Sequence, residues 1–187
     1  KHLTRINRYN PSTGQLQKLI ERNTTDNYSN PGTPVTEKNQ FGNDVIKVID
    51  NGNKLLMNNT TGASPNGDLP FLATFDLNTK KQDIIWRCND GYFESVVRVL
   101  NPDKLEILTR KENEKEVPNY WIKNLKLKIA DRQITSFTNP YPQMEGVSKQ
   151  KIKYKREDGV DLTGDLYLPK GYDPKKDGKL PVIMWAY

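Results

Sequence analysis

The most informative stretch of the sequence is residues 149–187, KQKIKYKREDGVDLTGDLYLPKGYDPKKDGKLPVIMWAY. Apolar and charged residues alternate over 152–156 and again over 162–168, which is the period of a half-buried strand. The EDG at 157–159 is a turn signal, so the two strands are predicted to form a hairpin. Residues 180–187 are almost continuously apolar, which predicts a strand buried on both faces, as in a parallel sheet covered by helices.

The two ends of the chain lead to a second expectation. Lys1 is not a native start, and no helix follows the apolar run to cover it. We therefore expect the chain to be an internal segment of a larger protein, cut within its second domain. The sequence does not determine the oligomeric state or the localisation, and periplasm or secretion is the expectation for a bacterial source.

Composition favours many short strands with polar turns. Hydrophobic residues make up 34% of the 187 residues, below the usual share of roughly 45–50%. The net charge is +6, but acids are interleaved with bases even in the densest run, RKENEKE at 110–116. Because no basic stripe with stacking aromatics is present, we expect no nucleic-acid partner. No run of about 18 apolar residues exists, so no membrane span is predicted.

Residues suited to catalysis or metal binding are scarce. A single cysteine, Cys88, excludes an internal disulfide and a multi-cysteine metal site. It ends an apolar strand pattern, IIWRC, where a buried packing role is predicted. The only histidine is His2, so a Ser-His or Cys-His pair cannot be assembled from this chain. No cofactor and no metal are predicted.

One hairpin signature occurs twice. The turns YNPST at 9–13 and FDLNT at 75–79 both place an aromatic, an Asx residue, two spacers and a threonine in register. The side chains of Asn10 and Asp76 can each accept a hydrogen bond from the backbone two residues on and so fix the turn. A repeated hairpin indicates a repeat architecture.

The predicted strands group in fours. Four antiparallel strands at a period of roughly 45–50 residues describe one blade of a β-propeller, and residues 3–20 would be the last hairpin of a preceding blade. A β-sandwich is the alternative, because it also joins many short strands. The eight strands of the two full sets are 45–49, 54–58, 71–75, 82–86, 92–100, 104–109, 121–129 and 133–137.

The sequence NPYPQ at 139–143 has two prolines, which suit an extended interdomain linker.

A series of motifs resembles the prolyl oligopeptidase superfamily of serine peptidases, and within it the glutamyl endopeptidases of the chloroplast type and their bacterial relatives. The motifs follow one another in order over nearly the whole chain. They are NPGTP (30–34), GASP (62–65), LPFL (69–72), FDLNT (75–79), YFESVV (92–97), ITSF (134–137), YKREDGV (154–160), LYLPKGYDP (166–174), KDGKLP (176–181) and WAY (185–187).

The resemblance implies a mainly β chain with three parts. Residues 1–138 would be the C-terminal blades of a β-propeller, about two and a half four-stranded blades, which gates substrate access. Residues 139–148 would be the interdomain linker. Residues 149–187 would be the first strands of an α/β-hydrolase domain. The implied substrate is a peptide or small protein, cleaved after glutamate.

The resemblance also implies a catalytic mechanism, and this chain contains one residue that is a candidate for a role in it. A serine on a strand-to-helix elbow would attack the peptide carbonyl, with a histidine as base and an aspartate orienting it. All three would follow Tyr187, so the segment alone is predicted to be inactive. In this superfamily a tyrosine just past the third hydrolase strand donates its hydroxyl to the oxyanion, and Tyr187 matches that position. The alternative is an aromatic that closes a buried strand.

Two further questions stay open at the level of sequence. Glu94 could be a substrate-facing carboxylate, although an ion pair with a neighbouring lysine at a blade edge is the favoured interpretation. The spacing of lysines and arginines selects no residue that would bind a substrate glutamate. The rival function is a non-catalytic β-propeller module that binds proteins or glycans.

Overall fold

The computed structural model describes residues 2–89, 91–127 and 129–185. The chain divides into two units, residues 1–113 with 117–137, and residues 114–116 with 138–187. Among the described residues, every regular element is a β-strand except one 3₁₀ turn, so the chain is mainly β, as predicted. No helix within these ranges is long and apolar enough to cross a membrane.

The first unit contains fifteen strands among its described residues. They are β1 Leu3–Asn10, β2 Gln15–Asn23, β3 Thr33–Pro34, β4 Thr36–Lys38, β5 Asp44–Ile46, β6 Val48–Ile49, β7 Lys54–Asn59, β8 Ala63–Ser64, β9 Gly67–Asp68, β10 Phe71–Asp76, β11 Gln82–Arg87, β12 Phe93–Asn101, β13 Glu106–Glu112, β14 Asn119–Asn124 and β15 Arg132–Gln133.

The second predicted set of four strands is confirmed as one antiparallel sheet, in the order β12-β13-β14-β15. The first set differs from the prediction. Its sheet runs β11-β10-β7-β3, with β6 also paired to β7, and its short end strand β3 was not predicted. The predicted strand 45–49 is divided, because the N–H of Lys47 bonds to Val35 O at 2.9 Å between the two pieces. β5 pairs with β4, and β6 pairs with β7.

The central sheet is buried on both faces. Alternate side chains of β7 and β10 point to opposite sides, as the period of a strand requires. One face packs against the β1–β2 hairpin, and the other packs against the β12–β13 sheet. The first cluster is Leu55, Met57, Phe71, Ala73, Phe75 and Leu77, with Leu19 and Ile20 against it. The second is Leu72, Val96 and Ile107, with Val35, Ile85, Trp86, Val99 and Leu125. A sheet of a two-layer sandwich would leave one face in water. The described sheets do not form a closed ring.

The repeated hairpin turn is confirmed in its hydrogen bonds. Asn10 Oδ1 accepts the N–H of Ser12 at 3.0 Å, and Asp76 Oδ1 accepts that of Asn78 at 2.9 Å. Each turn then closes with a residue in the left-handed region, Gly14 at φ 69° and Lys80 at φ 59°. Their N–H groups bond to the carbonyls of Asn10 and Asp76, both at 2.8 Å.

The last strands of the first unit are shorter than predicted. β14 ends at Asn124, not at 129, because Asn124 Oδ1 accepts the N–H groups of Lys126 and Leu127 and turns the chain. β15 covers only Arg132–Gln133, although strand was predicted over 133–137. Beyond it, Asn119 Oδ1 accepts the N–H of Phe137 at 2.7 Å, so a side chain replaces the backbone ladder.

The second unit contains the predicted hairpin, β16 Ser148–Lys155 paired with β17 Asp161–Leu168. Its turn has Gly159 at φ 84° and an ion pair in which Arg156 Nε donates to Asp158 Oδ1 at 2.8 Å. None of the described residues 138–185 is buried. The linker is not wholly extended, because Pro142–Met144 forms the 3₁₀ turn. Proline suits a first helical position, where its missing N–H has no partner to lose.

The predicted strand over 180–187 is wrong for its described part, 180–185, which is not in a strand. Val182, Ile183, Met184 and Trp185 are 83–99% exposed. An apolar run becomes a strand only where a neighbour supplies ladder bonds and cover, and no described strand pairs with this one.

Candidate binding cavity and buried ion pair

A cavity of about 460 Å³ lies in the first unit between the ends of its two larger sheets. One wall is residues 33–38, which hold β3 and β4, and the other is residues 97–99 of β12. Asp44, Asn58 and Thr60 complete the lining. The volume falls within the range of roughly 300–1,000 Å³ that is typical of ligand sites.

The first wall is held in place by the NPGTP segment. Gly32 has φ 91°, and a Cβ there would lie 2.6 Å from Asn58 O, so only glycine allows this close approach. Asn59 Nδ2 donates to Asn30 O at 2.9 Å, and Gln82 Nε2 donates to Pro31 O at 2.7 Å. The backbone before β3 is therefore fixed by three contacts.

The second wall is residues 97–99 on the outer edge of β12, the strand at the end of its sheet. Its register with β13 shifts between Val96 and Arg98, which leaves Val97 as a bulge. Asn58 Nδ2 donates to Val96 O at 2.9 Å and ties β7 to this edge. Asn58 Oδ1 is buried and accepts no hydrogen bond from the described chain.

Four charged side chains line the cavity, and three of them are paired. Lys38 Nζ lies 2.7 Å from Asp44 Oδ2. Glu37 Oε2 lies 3.1 Å from Lys47 Nζ, just outside the lining. Arg98 is exposed, and its side chain makes no hydrogen bond or ion pair within residues 2–89, 91–127 and 129–185. When Lys47 is counted with its partner Glu37, the cavity and its rim have one net positive charge, that of Arg98.

A separate cluster surrounds Glu94, which is 3% exposed. Thr109 Oγ1 donates to Glu94 Oε1 at 2.6 Å, and Lys123 Nζ lies 3.1 Å from the same oxygen. Lys123 also bonds to Asp131 Oδ2 at 2.6 Å. Three neighbouring strands are joined through these groups. The predicted pairing of Glu94 with a lysine is confirmed, but the pair is buried rather than at an exposed edge.

The electrostatics of this cluster favour a fixed structural charge pair. Burial alone disfavours the charged form of Lys123, but its hydrogen bond to Asp131 and the attraction of Glu94 outweigh burial and raise its pKa above the ordinary 10.5. Glu94 is too buried to face a substrate. Its backbone N–H also donates to Cys88 Sγ at 3.1 Å.

The predicted packing role of Cys88 agrees with its surroundings. The thiol is buried and donates to the Tyr92 carbonyl at 3.1 Å. Burial raises the pKa of this thiol, which is the opposite of what a nucleophilic cysteine requires.

The predicted catalytic residue, Tyr187, lies outside the described residues. Its assignment stays a prediction. In the part of the chain that the structure describes, no group of three or more His, Cys, Asp or Glu side chains could hold a metal ion.

The first unit is a protein of packed β-sheets whose cleft contains one arginine side chain without a partner among the described residues. Comparisons with known proteins then show which proteins the chain is similar to. No family model matches the chain. The chain is 42% identical over 185 residues to a protein of Arabidopsis thaliana named "Probable glutamyl endopeptidase, chloroplastic". It is 39% identical over 180 residues to a protein of the same name from Oryza sativa subsp. japonica. Each match covers 90% of this chain and 19% of the relative. The chain is therefore close to glutamyl endopeptidases and spans about a fifth of the length of these relatives.

Proposed function

We propose that the chain is part of a serine peptidase that cleaves peptide bonds through an acyl-enzyme, after glutamate. The supporting observation is identity of 39–42% over 90% of the chain to two proteins named as glutamyl endopeptidases. The relatives suggest a peptide as substrate. The serine mechanism comes from the resemblance to the prolyl oligopeptidase superfamily.

In this proposal residues 1–138 are blades of a β-propeller that gates substrate access, and residues 139–148 are a linker. The packing of the first unit supports blades, because the central sheet is covered on both faces by other sheets. Blades in a propeller are stacked in this way around a channel. The cavity lies at free strand edges, where a channel would give access to it.

Residues 149–187 are then the start of the α/β-hydrolase domain, and Tyr187 belongs to its oxyanion hole. A phenol hydroxyl aimed at the developing oxyanion stabilises the tetrahedral intermediate more than the ground-state carbonyl. The exposed apolar residues 182–185 support a place for this segment in a larger sheet. The nucleophile, base and orienting aspartate would come from sequence after Tyr187.

The experiment uses the protein encoded by the full reading frame. A G-x-S-x-G elbow followed by Asp and His is expected downstream, and a serine-directed fluorophosphonate should label the protein. Tyr187→Phe should lower kcat about 10²–10³-fold with little change in KM. Tyr154→Phe, an exposed tyrosine of β16, is the matched control and should leave kcat unchanged. An unchanged kcat in Tyr187→Phe would reduce this residue to a packing role, and a missing elbow would refute the peptidase proposal.

A second candidate is a non-catalytic propeller module that binds protein or glycan ligands. The cavity supports it, because the cavity is lined only by residues of the first unit and needs no catalytic group. Absence of labelling by the serine-directed probe, with retained ligand binding, would favour this second function.

A further inference from the structure

We propose that the cavity between β3–β4 and β12 is a capture site for an acidic, extended peptide, and that Arg98 contacts a glutamate or aspartate side chain of this ligand. The inference deepens the proposed peptidase function and rests on it for the role of the bound peptide, which is a substrate on its way to the active site.

Charge selects the ligand. Glu37, Lys38 and Asp44 are neutralised within the protein, which leaves Arg98 as the lining charge without a partner in the described chain. A guanidinium presents a planar fork of donors that matches a carboxylate in two parallel hydrogen bonds. An acidic side chain would complete this pair, whereas a basic one would be repelled.

The backbone of β12 selects the shape of the ligand. The strand lies at the end of its sheet, and residues 97–99 line the cavity. Free N–H and C=O groups at a sheet edge bind an extended peptide by main-chain hydrogen bonds, while nearby side chains give specificity. The peptide backbone would therefore follow this edge and place one side chain at Arg98.

The walls are preorganised for binding. The opposite wall is held by the Gly32–Asn58 approach and by the hydrogen bonds from Asn59 and Gln82. Asn58 connects the two walls through its bond to Val96 O. A cleft that is already ordered loses little conformational entropy when a ligand binds.

Capture of this kind predicts a particular kinetic signature. Binding energy that is equal in the ground and transition states changes KM and leaves kcat unaltered. Arg98 should therefore influence KM for acidic substrates, whereas Tyr187 should influence kcat.

The test measures binding directly in the full-length protein. The probe is a fluorescent hexapeptide that alternates alanine and glutamate, with glutamine and lysine counterparts. The glutamate peptide should bind about tenfold more tightly than the glutamine peptide, the effect of one charge-assisted pair. Arg98→Gln should abolish this preference, and Arg98→Glu should shift it to the lysine peptide. Arg8→Gln changes an exposed arginine of β1 outside the cavity and is the matched control.

The outcomes separate the two proposals. The capture proposal is overturned if wild type and Arg98→Gln bind the glutamate peptide equally. It is also overturned if wild type does not bind the peptide, for example because another part of the protein fills the cavity. Either result counts against capture even if the protein cleaves peptides. Binding that depends on Arg98 in a protein that cleaves nothing supports the acidic site and refutes the peptidase. Where peptides are cleaved, Arg98→Gln should raise KM about tenfold for acidic substrates at constant kcat.

Discussion

Two hairpins of this chain each have a turn with an aspartate that accepts a backbone N–H and a residue in the left-handed region, and they differ in their surroundings. The turn of β10–β11 is fixed by Asp76, whose Oδ1 accepts two backbone N–H groups, and the turn of β16–β17 contains Asp158, which accepts the N–H of Val160 at 3.3 Å. Four residues of β10 are buried, namely Phe71, Leu72, Ala73 and Phe75. In contrast, β16 and β17 contain no buried residue.

The difference shows what turn residues and core each contribute. In both units a turn signal in the sequence coincides with an antiparallel pair, whether or not the strands are buried. The packed hairpin has a non-glycine residue, Lys80, in the left-handed region at φ 59°. This conformation costs an L-residue about 1–2 kcal/mol. The exposed hairpin has Gly159 at the corresponding left-handed position. Burial offsets a local strain that an unpacked hairpin avoids.

The largest test of this contrast concerns charge. Lys123→Met leaves Glu94 buried without its cation and should lower the free energy of unfolding of the first unit by about 3–5 kcal/mol. Lys149→Met in the second unit breaks an exposed pair with Asp165 and should lower the free energy of unfolding of that unit by less than about 1 kcal/mol. Urea-dependent exchange of backbone amide hydrogens, followed in β13–β14 for the first unit and in β16–β17 for the second, measures both.

Two comparisons check the result for Lys123→Met. Adding Glu94→Gln to Lys123→Met should recover part of the loss, because the uncompensated charge is then removed. Equal effects of the two lysine variants would contradict the distinction between buried and exposed pairs.

The ion pair should also give the first unit a stability limit in alkali. The folded state raises the pKa of Lys123 above 10.5. The stabilisation is therefore complete below the unfolded pKa and is lost as pH rises through the higher folded pKa. Wild type should lose stability between about pH 10 and pH 12, and Lys123→Met should lose less over this range. Parallel losses in both proteins would contradict this role for Lys123.

Two glycines provide a smaller test with a matched pair. A Cβ on Gly62 would lie 1.9 Å from Leu69 O, so Gly62→Ala should add a clash of about 1–3 kcal/mol to the left-handed strain of about 1–2 kcal/mol. A Cβ on Gly159 would meet nothing within 4 Å, so Gly159→Ala should show the strain alone. Chemical denaturation of each variant measures the difference, and similar losses at both sites would mean that the loop at Gly62 moves to accommodate the methyl group.

Sequence predicted the features that depend on neighbours along the chain. The repeated Asx turns and the β16–β17 hairpin follow from residues within a few positions of one another. The two-residue strand β3 has no such signal, because it exists through pairing with β7 more than twenty residues later. The run 180–187 has a strand composition, but its described part, residues 180–185, has no described neighbour to pair with.

The candidate sites depend on the register of strand pairing, which cannot be read from the sequence. Glu94 and Lys123 meet across β13 because of how three strands align. Arg98 is one of 29 lysines and arginines. It becomes distinctive only when the other charges of the cavity are found to be paired. Composition could therefore predict a mixed charged surface, but not which charged side chain of this cavity lacks a partner among the described residues.

The smallest test returns to the two hairpins. Lys80→Gly gives the packed hairpin the residue type that the exposed hairpin has in its turn. It should remove about 1–2 kcal/mol of left-handed strain and add about 0.5–1 kcal/mol of unfolded-state entropy, a net gain of about 0.5–1 kcal/mol. The reverse change in the repeated turn, Gly14→Lys, should cost a similar amount, because both turns close with the same backbone hydrogen bond at a left-handed residue. Thermal unfolding of both variants measures the two shifts. A loss in Lys80→Gly would mean that the lysine side chain stabilises its turn by more than its backbone strain costs.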